Sequence, residues 1–212
     1  MNISKKLLPL FSYLFHPLFV SVFAVLIYFF TVIPYFEYTV FYVLFIQIMI
    51  ITVLVPVTFY YLLMSLNLVD SIMLEKSAQR KIPLLIHAVL LVVLVKKSIL
   101  AERFFELNLF FIASFISTLL ALILVFFKQK ASLHMVGIVG LTTFAICLSQ
   151  AFQIRMIGLI VCLLIISGIV GTSRIYMKAH TNKELLLGSL IGFLPQLLVF
   201  LVPNFEIFAK SL

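Results

Sequence analysis

Residues 104–127 read FFELNLFFIASFISTLLALILVFF, twenty-four positions with a single charged side chain, Glu106. A bilayer crossing needs roughly 20 apolar residues, because its hydrocarbon core is about 30 Å thick and a helix rises about 1.5 Å per residue. No water satisfies backbone groups inside hydrocarbon, so a run of this kind must be helical. The stretch therefore predicts a transmembrane helix, and the rest of the chain repeats its pattern.

Working outward, further apolar runs at 9–33, 38–65, 82–98, 135–151, 155–175 and 184–203 alternate with short polar breaks. The third run is the short one. Ile82 to Val95 is fourteen residues, about 21 Å of helix, so Lys96 and Lys97 must snorkel to the far interface. The first run follows Lys5 and Lys6 with no small-residue cleavage site, which predicts a retained anchor. Its opening part, before His16-Pro17, has the alternative of lying flat at the interface. The expected fold is all-α, a polytopic integral-membrane helical bundle of six to seven transmembrane helices. No linker divides residues 1–212, so one domain is expected.

Composition agrees. The chain is 65% hydrophobic and 10% charged, against about 25% charged in soluble domains, which excludes a water-soluble globule. Trp is absent, so Tyr35, Tyr38, Tyr60, Tyr61 and Tyr176 are left to supply aromatic anchors. Cys147 and Cys162 lie in apolar runs and read as small buried hydrophobes. Small residues recur at Gly137 and Gly140, Gly168 and Gly171, and Gly188 and Gly192, where helices could pack closely.

Following the spans, one face collects the N-terminus and the breaks around 66–81, 128–134 and 176–183. It holds ten basic residues against Asp70, Glu75 and Glu184, while the opposite face holds five against four. The excess has two readings: the positive-inside rule, or a cluster of cations that binds an anion such as phosphate. Without Lys76, Arg80, Lys81, Lys128, Lys130 and Arg174 the faces hold four and five, so membrane orientation stays open. Nucleic acid is excluded as a partner because these cations sit between membrane spans.

His134 and His180 stand at span ends on the cation-rich face, with Arg80, Arg174 and Glu184. Ionisable groups at a membrane mark function by default. Ser173-Arg174-Ile-Tyr-Met-Lys-Ala-His180 resembles the third motif of the type 2 phosphatidic acid phosphatase superfamily, Ser-Arg, five residues, then His. Glu184 stands where that family usually has Asp. Ala131-Ser132-Leu133-His134 resembles its Pro-Ser-Gly-His motif, with Leu133 in place of Gly. Glu75-Lys76-Ser-Ala-Gln-Arg80-Lys81-Ile-Pro83 is similar to a compressed first motif. The three keep the family's order, with a phosphatase-like core at about 66–203. Two spans separate each motif from the next, so all three are expected on one side of the membrane.

The resemblance implies roles. His180 would be the nucleophile, forming a phosphohistidine, and Glu184, one helical turn later, would hold its productive tautomer. His134 would protonate the departing oxygen and then activate water. Lys76, Arg80 and Arg174 would bind the phosphoryl oxygens, with Ser132, Ser173 and the backbone N–H of Leu133 as further phosphate contacts. Lys81 competes with Arg80 for that contact. His87, one turn into the third span, is expected to make an interhelical hydrogen bond, the alternative being a place beside the phosphate cluster.

The expected activity is metal-independent hydrolysis of a lipid phosphate or diphosphate, with no cofactor and no metal ligands, by a protein of a bacterial inner membrane. The alternative is a catalytically inactive relative that binds or translocates anionic lipid. Oligomeric state is open.

Overall fold

The computed structural model describes residues 4–32, 37–70, 77–97 and 100–202. Helix α1 (Ser4–Leu14) meets α2 (Pro17–Thr31) at 66°. The bend follows from Pro17, which cannot donate to a preceding turn and drives the residue before it out of the helical region. His16 accordingly has ψ 141°, and its Nδ1 accepts the Leu18 N–H at 3.4 Å, capping α2. The expected single span over 9–33 is thus broken at His16-Pro17.

Helix α3 (Tyr38–Met49) passes through one π-helical turn, Ile50–Leu54, into α4 (Val55–Ser65), and the three make a run of 28 residues over the expected span. The wide turn lies where Pro56 would otherwise strike the carbonyl four residues back. A 3₁₀ turn, Ser77–Arg80, leads into α5 (Lys81–Lys97). After the short α6 (Leu100–Arg103) come α7 (Phe105–Phe126), α8 (Leu133–Ala151), α9 (Ile157–Tyr176) and α10 (Asn182–Leu201).

The protein is an all-α polytopic bundle. Among the described residues five helices are long and apolar enough to cross a membrane: the 38–65 run, α7, α8, α9 and α10. Taking α1 and α2 as one bent span makes six. Helix α5, the short span of the sequence, has 17 residues, about 25 Å of helix, and a count of seven depends on it. Outward faces such as Val161, Leu164 and Ile165 on α9 and Leu190, Leu194 and Leu198 on α10 are exposed and apolar, as a lipid solvent requires.

Helix α8 packs on α10, α9 and α2, while α7 lies against α5 and α10. The α8–α10 contact depends on glycine. A Cβ on Gly188 would come 2.5 Å from the Ser132 carbonyl oxygen, and one on Gly192 would strike the Val136 carbonyl. At the opposite end of the bundle Tyr28 donates to Glu106 Oε2 at 2.9 Å, beside the packed rings of Phe29, Phe41 and Phe104.

Two lysines reverse the chain toward the site. Lys128 (φ 58°) and Lys178 (φ 54°) close α7 and α9 in the left-handed conformation. Their N–H groups donate to Val125 O and Ile175 O, and those of Gln129 and Ala179 to Leu124 O and Arg174 O. This closure ends a helix abruptly, so α8 and α10 start within a few residues, at the same end.

Candidate active site

Three helix starts are tied together at that end. Arg80 Nη1, just before α5, donates to Ala131 O at 2.8 Å. The Ser132 N–H, capping α8, donates to Glu184 O in the first turn of α10 at 3.0 Å. Arg174 arrives on the last turn of α9. The even number of spans between motifs is thus matched by geometry, and Arg80, Leu133, His134, Arg174 and His180 line one cavity.

His180 is held by Glu184. Its Nδ1 donates to Glu184 Oε2 at 2.8 Å, and the same oxygen accepts the Thr181 N–H at 3.2 Å. The Thr181 hydroxyl accepts the Glu184 N–H at 3.4 Å, completing a capping box on α10. With the proton on Nδ1, the lone pair of neutral His180 lies on Nε2. His180 is 8% exposed. Burial lowers its pKa to about 4, with Arg80, Lys130 and Arg174 adding to the fall and the Glu184 hydrogen bond opposing it, so the ring is neutral near neutral pH.

The cations surround this pair. Arg80 and Arg174 are 4% and 3% exposed, unusual for guanidinium groups. Burial pulls Arg80 below its ordinary pKa, while the Glu184 carboxylate opposes that shift. Lys130 Nζ is 4.0 Å from Glu184 Oε2. Lys81 is exposed, with its Nζ 4.9 Å over the Phe126 ring, so of the two neighbours Arg80 is the one in the cavity wall. Lys76 lies outside the described residues.

Helix α1 brings in a contact that the motifs do not contain. His134 is buried, and its Nε2 lies 3.0 Å from the Ser12 carbonyl oxygen. A carbonyl only accepts, so Nε2 carries the proton and Nδ1 the lone pair. His16 meets the His134 ring edge to face, with centroids 5.2 Å apart, and lines the same cavity. His16 was missed as a site residue. The only signal was a His-Pro pair interrupting an apolar run, and pairing across more than a hundred residues leaves no local trace.

Other expectations land differently. The Ser173 hydroxyl lies 2.6 Å from Leu8 O and 2.7 Å from Ser12 Oγ, so it ties α9 to α1 instead of facing the cations. Leu133 has a negative φ as the first residue of α8, and its side chain packs beside Leu84, Ala121 and Val125. Part of the bulk that replaces glycine is thus taken up by this apolar cluster, while Leu133 still lines the cavity. Ser132 Oγ is buried without a hydrogen-bond partner among the described residues. His87 makes no hydrogen bond among the described residues and lines the cavity, so the expected interhelical bond is absent.

Comparison with models of known protein families, with curated proteins and with solved structures finds no match.

Proposed function

We propose that this protein is an integral-membrane phosphatase that hydrolyses a lipid phosphate or diphosphate through a phosphohistidine on His180 and without a metal ion. The observation that carries the reading is the 2.8 Å Nδ1–Glu184 bond of a buried, neutral histidine in a cavity shared with two buried arginines. A phosphoryl group needs a nucleophile with a free lone pair and cations around its oxygens. Nε2 of His180 attacks phosphorus, the bond to the lipid oxygen breaks, and that oxygen takes a proton delivered from water through His134. Water then attacks the phosphohistidine, returns the electron pair to Nε2 and releases inorganic phosphate. Arg80 and Arg174 hold the phosphoryl oxygens, and the N-terminus of α8 at Leu133 adds N–H donors and the positive end of its dipole. The resemblance of the three motifs to the type 2 phosphatidic acid phosphatases supports the same chemistry, and residence in a bacterial inner membrane belongs to the same proposal.

One observation favours a second reading, a catalytically inactive protein that binds or translocates anionic lipid. The Nε2 proton of His134 is directed at the Ser12 carbonyl rather than toward a leaving group. Catalysis requires that Nδ1 of His134, which carries the lone pair, first take up a proton, or that α1 move and release Nε2–H.

The test is phosphate release by the detergent-purified protein from phosphatidate, phosphatidylglycerophosphate and polyprenyl diphosphate with chelator present. His180→Ala and His134→Ala run beside the unmodified chain. Release that survives chelation and is lost in both variants is the expected result. No release from any lipid by folded protein that still binds anionic vesicles leaves the binding reading.

A further inference from the structure

The cavity does not stop at the cations. It continues down the bundle between α2, α4, α5, α7, α8 and α10, past Leu84, His87 and Leu91 on α5 and Gly140 on α8, as far as Gln196 on α10. Arg80 to Leu91 is eleven residues, about 16 Å at roughly 1.5 Å per residue. Asn182 to Gln196 is fourteen residues, about 21 Å on the same basis. Half of a hydrocarbon core is about 15 Å, so the cavity is as deep as one leaflet. Its walls are mainly apolar, from Leu18, Val20, Phe59, Leu63 and Phe110. The wall hydroxyls of Ser117 and Thr118 donate to Ile191 O and Ser114 O. Gly137, Gly140 and Gly192 also line it, where α8 packs closely on α2 and α10. The far end is different: Gln196 is 2% exposed, and its Nε2 has no hydrogen-bond partner among the described residues.

We propose that this cavity takes one hydrocarbon chain of the phosphate-bearing lipid, with the headgroup at Arg80 and Arg174 and the chain end against Gln196. The inference rests on the phosphatase reading for its substrate but not for its geometry. The lipid is drawn out of the bilayer into the bundle, so chain length is read by the protein. Pressing methylenes against a desolvated amide is unfavourable, and Gln196 therefore sets the limit. The shared chemistry is a phosphate or diphosphate on a linear chain of about one leaflet's reach, acyl or isoprenoid.

The experiment compares butyl, dodecyl, hexadecyl and eicosyl phosphates at equal mole fraction in detergent, with full-length protein, reading both phosphate release and thermal stabilisation. A chain longer than the cavity meets Gln196 before its headgroup reaches the cations. Both readouts should therefore fall at least tenfold in apparent strength between hexadecyl and eicosyl. Ser114→Phe, which fills the deep part, should move that limit to shorter chains, and Leu91→Ala, which enlarges it, to longer ones. Opposite shifts cannot both come from misfolding. Palmitoyl lysophosphatidate and geranylgeranyl phosphate, run alongside, separate acyl from isoprenoid sources by which is turned over faster. A length limit in stabilisation without any phosphate release keeps the chain site and sinks the enzyme reading. Release that is indifferent to chain length and to both variants overturns the chain site and leaves the enzyme reading intact.

Discussion

Glu184 Oε2 accepts two hydrogen bonds at once, from His180 Nδ1 at 2.8 Å and from the Thr181 backbone N–H at 3.2 Å. One carboxylate therefore starts α10 and orients the histidine that precedes it. Helix initiation and histidine orientation can be separated by substitution, because Thr181 serves only the first.

Thr181→Ala removes the reciprocal cap and should lower stability by about 1 kcal/mol with little effect on turnover. Glu184→Gln still offers an oxygen to the cap but removes the charge that favours the Nδ1–H tautomer. Its kcat should fall by up to about 10⁴, the loss seen when a catalytic histidine's orienting carboxylate becomes an amide. Phosphate release and thermal unfolding of the two variants check this. Equal losses of kcat in both would reduce Glu184 to a helix cap.

The acid limb of the pH–rate profile follows from His180. Its folded pKa is lowered to about 4 from 6.5, chiefly by burial, so the proposed nucleophile stays unprotonated until the pH falls well below the usual histidine range. The limb of kcat/KM should lie nearer pH 4 to 5 than 6.5. In Glu184→Gln it should move further down, since the carboxylate raises the pKa. Stability follows the same sign. Across that window the unfolded chain binds a proton that the folded chain does not, so stability rises with pH and is lost as pH falls. A limb centred near 6.5 would mean that His180 is solvated during any turnover.

Much of this was legible in the sequence for physical reasons. The span over 38–65 follows from uninterrupted apolarity, and the His180–Glu184 pair from a spacing that a helix start places on one face. The parity of spans brought the motifs to one side. The partnership of α1 with the site was not legible, because Ser12 reaches His134 through its carbonyl and any residue supplies one. Ser173 read as a phosphate contact only through its motif, whereas its hydroxyl bonds to α1. The glycine pairs looked alike, yet a Cβ on Gly168 would meet nothing within 4 Å. Spacing reports small residues but not what faces them.

Ser173 supplies the third prediction. Its hydroxyl contacts Leu8 O and Ser12 Oγ, so Ser173→Ala should loosen α1 by about 1 to 2 kcal/mol, at roughly 1 kcal/mol per hydrogen bond. Amide exchange should rise across residues 8–14, while KM for the lipid phosphate changes less than about twofold. A large rise in KM with α1 unchanged would instead put Ser173 in contact with phosphate.

The α8–α10 contact supplies the fourth. A methyl at Gly188 would approach Ser132 O to 2.5 Å, and one at Gly192 would strike Val136 O. Both obstacles are backbone, so the helices must separate, at a cost of about 1 to 3 kcal/mol each. The consequences differ by position. Gly188 lies beside the Ser132 N–H to Glu184 O bond, so Gly188→Ala should part the two helix starts that carry His134 and His180. Gly192 lies about one turn deeper, where the cavity continues away from the cations. Both variants should therefore lose stability, and Gly188→Ala should lose more turnover for the same loss. Gly168→Ala, facing open space on α9, should be neutral or slightly stabilising, since alanine is favoured over glycine in a helix by roughly 0.5 to 1 kcal/mol. Thermal unfolding and phosphate release for the three variants test the ordering. Equal turnover in folded Gly188→Ala and the unmodified chain would mean that the histidines do not depend on this contact.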